Sequence, residues 1–381
     1  MRVVIVGAGY AGLLCTFRLR RRCPPGCEIT VVDRSDVFVE RVRLHEFVAG
    51  AAPPTHELAP WLARRGVRFV RGSLEALDRR TRTITVSGAV LPYDRLVLAL
   101  GSRVDDKSIE GAREFAHSFD RPLALRERVA SLRDGHVLVI GAGLTAVEAA
   151  SELREARPDL RVSLVHRGPV APVLSDKARA YAIASLERLG VALVGETSVR
   201  AVTASGARTD RGEIAADLVL NCAGFCAPEA LSSLELSTDS RGFLQVDSML
   251  FTSDPDVMAV GDAASIEGWP ALHKSCKSAM PMAAHAADNI VASLRNEPVA
   301  PFELRDTGVC VSLGRSDAVI QSYAEGRAPD GPVLTGRVAV WLKEMIVRYT
   351  TWGLRLEASQ RLAYRWLRGP RHPTLAAESV A

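Results

Sequence analysis

Two stretches about 130 residues apart constrain this chain more than anything else in it, because each is an apolar run that breaks into glycines and resumes as a helix. Residues 3–12 read VVIVGAGYAG, with Gly7, Gly9 and Gly12 at the spacing G-x-G-x-x-G. Gly7 permits a tight turn, Gly9 lets a pyrophosphate approach the backbone, and Gly12 lets helix and strand pack closely. The helix N-terminus then offers free N–H groups and the positive end of its dipole. Asp33 closes a second apolar run, residues 29–32, at about the twenty-residue distance where a carboxylate meets a ribose hydroxyl. Residues 136–146, HVLVIGAGLTA, repeat the turn with Gly141, Gly143 and Ala146. Its ribose-reading position falls at His166 and Arg167, after a strand at 161–165; no carboxylate stands there, and Arg167 is suited to a 2′-phosphate. The pattern predicts an α/β chain with two units for dinucleotides.

The intervening segments fill out that frame. After Asp33 come Arg43 and His45, which either face a cofactor or lie on a solvated helix face, and then a break at Pro53 and Pro54. Residues 58–62 read as a short helix, and residues 67–70, 76–77 and 83–86 alternate like strands of a small antiparallel sheet. Residues 93–100 form a buried parallel strand running into Gly101. Residues 186–190 close a helix, residues 191–194 begin a strand, and residues 216–220 form another that leads to Gly224. Residues 256–260 run into Gly261-Asp262, which is either plain turn chemistry or a carboxylate placed to accept hydrogen bonds from hydroxyls of a bound group.

Composition narrows the class. With 381 residues, 48% hydrophobic and 24% charged, the chain has room for two or three domains with sizeable cores. A net charge of +4 with scattered basic residues argues against nucleic acid. No apolar run reaches the length of a membrane span, and Met1 leads straight into a strand, so the expected location is the cytoplasm. Seven cysteines, an odd number without C-x-x-C spacing, point to reduced thiols, and Cys23 and Cys27 flank what reads as a surface turn. The eight histidines are dispersed, and no metal site is expected.

The order of these features resembles the two-dinucleotide flavoprotein superfamily of pyridine nucleotide-dependent oxidoreductases. It is most similar to the branch of type II NADH dehydrogenases and apoptosis-inducing-factor-like oxidoreductases. The resemblance rests on both glycine turns, Asp33, LALG at 98–101, VEAASEL at 147–153, CAG at 222–224, Gly261-Asp262, the helix expected over 276–290 and VSLGR at 311–315. It implies FAD on the first unit, NADH or NADPH on the second, and hydride transfer from nicotinamide to flavin. It implies a domain order of FAD-binding over residues 1–104, NAD(P)-binding over 105–226, and FAD-binding again over 227–304. Glu148 is then either an acidic group facing flavin and nicotinamide or an ordinary helix-surface carboxylate. Two departures stand out. Arg41, Arg43 and His45 occupy the neighbourhood where disulfide reductases carry a redox cysteine pair, so no dithiol relay is expected. Lys277 and Pro281 match the positions where type II dehydrogenases place two glutamines beside the quinone, which replaces an amide clamp by a cation.

Residues 305–381 read as an interface or membrane-surface segment. Val338, Trp341, Leu342, Met345 and Tyr349 recur at helical spacing, and Leu362, Trp366 and Leu367 do so again, among Lys343, Arg348, Arg355, Arg361, Arg365, Arg368 and Arg371. Such a face suits a membrane surface, the chain's own domain or a second copy in a homodimer. The functional expectation is an FAD-dependent enzyme passing electrons from NAD(P)H to a quinone-like or other small acceptor. A flavoenzyme tailoring a specialised metabolite and a redox-sensing interaction protein are the alternatives.

Overall fold

The first glycine turn sits at the centre of a parallel sheet. In the computed structural model, which describes residues 1–269, 274–324 and 329–369, five strands run side by side in the order Val257–Ala259, Arg95–Leu98, Arg2–Val6, Glu28–Asp33 and Arg68–Arg71. All four pairings are parallel, with Val4 opposite both Thr30 and Leu96. Residues 3–6 are buried on both faces, which is why the run is continuously apolar rather than alternating.

The strand expected over 67–70 belongs to this sheet and not to the antiparallel one. Arg68–Arg71 extends the parallel edge against Glu28–Asp33, and the antiparallel sheet is made of Leu74–Asp78, Thr83–Val86 and Ala89–Pro92. Alternation marks a half-buried strand without naming its partner, and here the partner lies in another segment.

The second unit repeats the plan with four parallel strands in the order Val191–Val194, Arg161–Val165, His136–Ile140 and Leu218–Asn221. Arg103–Val104 and Phe225–Cys226 pair antiparallel where the chain enters and leaves it. The chain then returns to the first sheet with Val257–Ala259, and the helix Cys276–Leu294 packs along the helix Tyr10–Arg22. Arg18 of the latter donates Nε and Nη2 to the two carboxylate oxygens of Asp288, both at 2.7 Å, across that contact.

The last described segment is an antiparallel sheet of Gly308–Ser312, Ala318–Ser322 and Val333–Thr335 followed by the helix Gly336–Ser359. This helix buries Ala339, Lys343, Val347, Thr351, Leu354 and Ala358 against the protein and leaves Val338, Trp341, Met345, Tyr349 and Trp352 outside. Val338 is 63% exposed, Trp341 66% and Trp352 54%, so packing on the chain's own domain does not account for that stripe. The second helical stretch expected around Leu362 and Trp366 does not form. The helix stops at Ser359 with Gln360 left-handed, and Tyr364 and Trp366 turn inward from an irregular chain tied to Glu303 and Arg305. Arg371 lies outside the described residues.

Candidate flavin and nucleotide site

The elements above bring one edge of the five-stranded sheet into focus, the edge at the carboxyl ends of its strands, where ligands settle in α/β folds. Gly7 sits there at φ +105°, and a Cβ on it would lie 2.3 Å from the Ala99 carbonyl oxygen. A Cβ on Gly12 would lie 1.7 Å from the Gly7 carbonyl oxygen, so helix and strand touch at that point. Gly9 differs: it caps the helix Tyr10–Arg22 without any side-chain cap, and a Cβ there would meet nothing within 4 Å. The position that must be bare for protein reasons and the position that is bare toward open space are thereby separated.

Asp33 holds the turn from beside it, with Oδ2 accepting from the Ala8 N–H at 2.6 Å and Oδ1 from the Ser35 N–H at 2.8 Å. Gly101 and Gly261 stand at the same edge, and a Cβ on Gly261 would press on Ala11 and Ala279 at 3.1 and 3.3 Å. Asp262 is half-buried, with Oδ2 accepting from Ser102 Oγ at 2.8 Å and a buried Oδ1 that has no hydrogen bond among the described residues. Burial holds its carboxyl above the usual carboxylate range, with Ser102 and the nearby Lys274 pulling it down. An unpaired buried carboxylate oxygen has a strong demand for a donor, and ribityl or ribose hydroxyls are donors of the right kind. The open face at Gly9 and the orphaned Asp262 oxygen both fit FAD.

Lys274 was not legible as a site residue. Its ammonium donates to the carbonyl oxygens of Asp262 and Ala264 at 2.7 and 2.8 Å and stands 3.7 Å over the Phe243 ring. Burial lowers it to about 8. It braces the turn that presents Asp262.

In the second unit, Gly141 takes φ +133° against the Cys222 carbonyl, and Ala146 is fully buried at the helix–strand contact. Gly143 caps the helix Leu144–Ala156 and, like Gly9, faces open space. Gly224 lies in a left-handed turn after the strand Leu218–Asn221. At the end of the strand Arg161–Val165, His166 Nδ1 lies 2.7 Å from the Gly168 carbonyl oxygen and Arg167 is exposed.

Three segments distant in sequence converge on Glu148. Its Oε1 lies 2.9 Å from Lys343 Nζ and accepts from the Ser312 backbone N–H at 3.0 Å, while Lys343 also donates to Ser312 Oγ at 2.6 Å. His45 is buried beside them with Nε2 unbonded. Burial alone raises the Glu148 carboxyl, but Lys343, His45 and the Ser312 N–H together hold it below the usual range, and Glu148 in turn holds Lys343 above its own. Glu148 is therefore a half-buried, ion-paired carboxylate held below its usual range. In sequence Lys343 reads as one of several basic residues on an amphipathic helix. The signal was its place in the row Ala339, Lys343, Val347 and Thr351, which buries the i, i+4 face.

Two expected site residues are engaged elsewhere. Arg43 donates to Glu46 at 3.1 Å and Glu344 at 2.8 Å and approaches Glu40 at 3.5 Å, so three carboxylates hold it. Lys277 Nζ donates to Asp306 Oδ1 at 2.5 Å and to the Gly308 carbonyl at 2.7 Å, which neutralises the cation expected to face an acceptor. Pro281 is buried inside the helix Cys276–Leu294.

Comparison with known proteins falls on the same ground. A family model described as pyridine nucleotide-disulphide oxidoreductase matches residues 1–288. The chain is 32% identical to an NADH dehydrogenase-like protein of Mycobacterium tuberculosis, over 85% of this chain and 88% of that protein. It is 24% identical to the type II NADH:quinone oxidoreductase of Staphylococcus saprophyticus, over 91% of this chain and 94% of that protein. Among solved structures, the sulfide:quinone oxidoreductase of Aquifex aeolicus superposes with a TM-score of 0.78 at 20% identity, covering 93% of this chain and 92% of that one.

Proposed function

The chain belongs to the pyridine nucleotide-disulphide oxidoreductase family, and from that footing we propose an FAD-dependent enzyme that oxidises NADH and passes the electrons to a quinone. The observation that carries this reading is the pair of bare helix caps, Gly9 and Gly143, each opening on free space at the carboxyl end of a parallel sheet.

Bound at the first unit, FAD would supply an acceptor for the hydride of NADH and a donor of the same two electrons to the quinone. The chain's part is to hold, orient and neutralise. The N–H groups of the helix Tyr10–Arg22 would receive the pyrophosphate beside Gly9, Asp33 would receive the ribose, and the free Asp262 oxygen would accept from a ribityl hydroxyl. Gly143 and its helix receive the nicotinamide nucleotide, and Arg167 accepts a 2′-phosphate, so that NADPH serves beside NADH. Glu148, held ionised by Lys343, stands between the units as the polar group that orients the nicotinamide.

No described helix is long and apolar enough to cross a membrane. We assign the exposed stripe of Val338, Trp341, Met345, Tyr349 and Trp352, flanked by Arg337, Arg348 and Arg355, to peripheral contact with a lipid surface, from the cytoplasmic side, where a lipid quinone would be met.

Purified protein should be yellow, and NADH should bleach the flavin band under anaerobic conditions, with colour returning on addition of a short-chain quinone. Colourless protein that also takes up no added FAD would overturn the proposal.

A further inference from the structure

A groove of about 480 Å³ lies away from the glycine turns, between the end of the helix Tyr10–Arg22 and the irregular chain that follows the helix Gly336–Ser359. Arg18, Arg21 and Arg22 form one side of it, and Arg365, Trp366 and Arg368 the other. None of its described lining residues is acidic. Five guanidinium groups therefore meet in one concavity.

Two carboxylates behind the groove answer part of that charge. Asp288 pairs with Arg18 and Arg22, and Glu357 pairs with Arg21 at 2.8 Å. Arg365 and Arg368 have no carboxylate partner among the described residues, so three positive charges are left over. The geometry is also braced. Arg18 is only 7% exposed and donates Nη1 to the Tyr364 carbonyl at 2.9 Å, and the guanidinium groups of Arg18 and Arg368 lie 5.7 and 5.1 Å from the centre of the Trp366 ring. Trp366 in turn donates Nε1 to the Glu303 carbonyl at 2.9 Å. Such bracing fixes the Arg18 guanidinium and the Trp366 ring before any ligand arrives, which reduces the ordering cost of binding on that side of the groove. Arginines so arranged recognise phosphate oxygens through paired N–H donors.

We propose that this groove binds a phosphate-bearing anion, with Arg365 and Arg368 closing on the phosphate and the Arg18 to Arg22 face neutralising it from behind. The same phosphate chemistry is offered by a phospholipid headgroup and by a soluble phosphorylated molecule. The exposed Leu362 and Leu367 beside the groove place it where a headgroup could be met.

Titration calorimetry on the whole flavoprotein tests this with inorganic phosphate and, separately, with short-chain dihexanoyl phosphatidylglycerol below its micelle concentration, against sodium chloride of equal ionic strength. The expected result is one anion bound per chain, weakened at least tenfold in Arg365→Ala/Arg368→Ala, whose flavin spectrum and unfolding midpoint stay as in the wild type. Flotation on phosphatidylglycerol vesicles then separates the sources. Flotation lost in the double variant supports the headgroup as source, and flotation retained while phosphate binding is lost supports a soluble ligand. Absence of saturable binding of either anion, or equal binding by the double variant, overturns the proposal.

Discussion

Lys343 of the C-terminal helix reaches Glu148 of the second glycine-turn helix at 2.9 Å, and both also bind Ser312. A charge pair with so little access to water is stabilising only while it is complete, because removing one partner leaves the other charge buried and uncompensated. Lys343→Met should therefore cost about 3 kcal/mol in urea unfolding. Without the ammonium the Glu148 carboxyl rises, so the folded variant takes up a proton that the unfolded chain does not, and the loss should shrink as pH falls. Glu148→Gln in the Lys343→Met background should recover most of it. A Lys343→Met protein as stable as wild type across pH would show that the pair contributes nothing.

The glycines of the first turn should separate into two kinds of damage. Gly7→Ala forces a side chain against the Ala99 carbonyl from a left-handed backbone and should reduce folding itself, by several kcal/mol or to insolubility. A Cβ at Gly9 meets no protein atom within 4 Å, so Gly9→Val should fold with a near-normal far-ultraviolet spectrum yet emerge colourless. Flavin retained by Gly9→Val would show that the space beside Gly9 is not where the pyrophosphate lies.

Glycine turns are readable in sequence because their geometry is local: φ, the next helix and the neighbouring strand are all set within a few residues or by the sheet they begin. The partners of Arg43 are a different matter. Glu46 lies nearby, but Glu344 comes from the far end of the chain, and only the fold reveals that three carboxylates hold one guanidinium. The partner of Lys277 was hidden for the same reason, since Asp306 sits in the segment after its helix and pairs with the ammonium. The C-terminal stripe was visible as an apolar periodicity, but which side faces the protein depended on the small residues Ala339 and Thr351 and on Lys343 between them. Large apolar side chains dominate any such periodicity, and here Val338, Trp341, Met345, Tyr349 and Trp352 are left outside.

Nucleotide choice follows from the end of the strand Arg161–Val165. A carboxylate there would repel a 2′-phosphate, whereas His166 is turned toward the Gly168 carbonyl and Arg167 projects into solvent. Arg167→Ala should lower kcat/KM for NADPH about tenfold while changing that for NADH little, as expected for a lost charge-assisted contact. A strong NADH preference that Arg167→Ala leaves untouched would remove Arg167 from the nucleotide site.

The last prediction concerns Glu152, on the inner face of the helix Leu144–Ala156. Burial pushes its carboxyl up to about 7, with Arg315 at 2.8 Å pulling it down and Glu46 and Glu155 adding to the rise. The ordinary value is 4.5, so between about pH 4.5 and 7 the folded protein holds a proton that the unfolded chain has released. Stability from this group is then fully present below the unfolded value and is lost as pH rises through 7. Each tenfold difference in proton affinity between the folded and unfolded chain is worth about 1.4 kcal/mol, which puts the loss at up to about 3 kcal/mol by pH 8. Glu152→Gln keeps an acceptor for Arg315 and removes the titration. Its stability relative to wild type should therefore rise by about 1–3 kcal/mol between pH 5 and pH 8 in urea unfolding. Parallel pH profiles for the two proteins would mean that Arg315 keeps Glu152 ionised throughout, and that the helix carries a buried ion pair there instead of a proton.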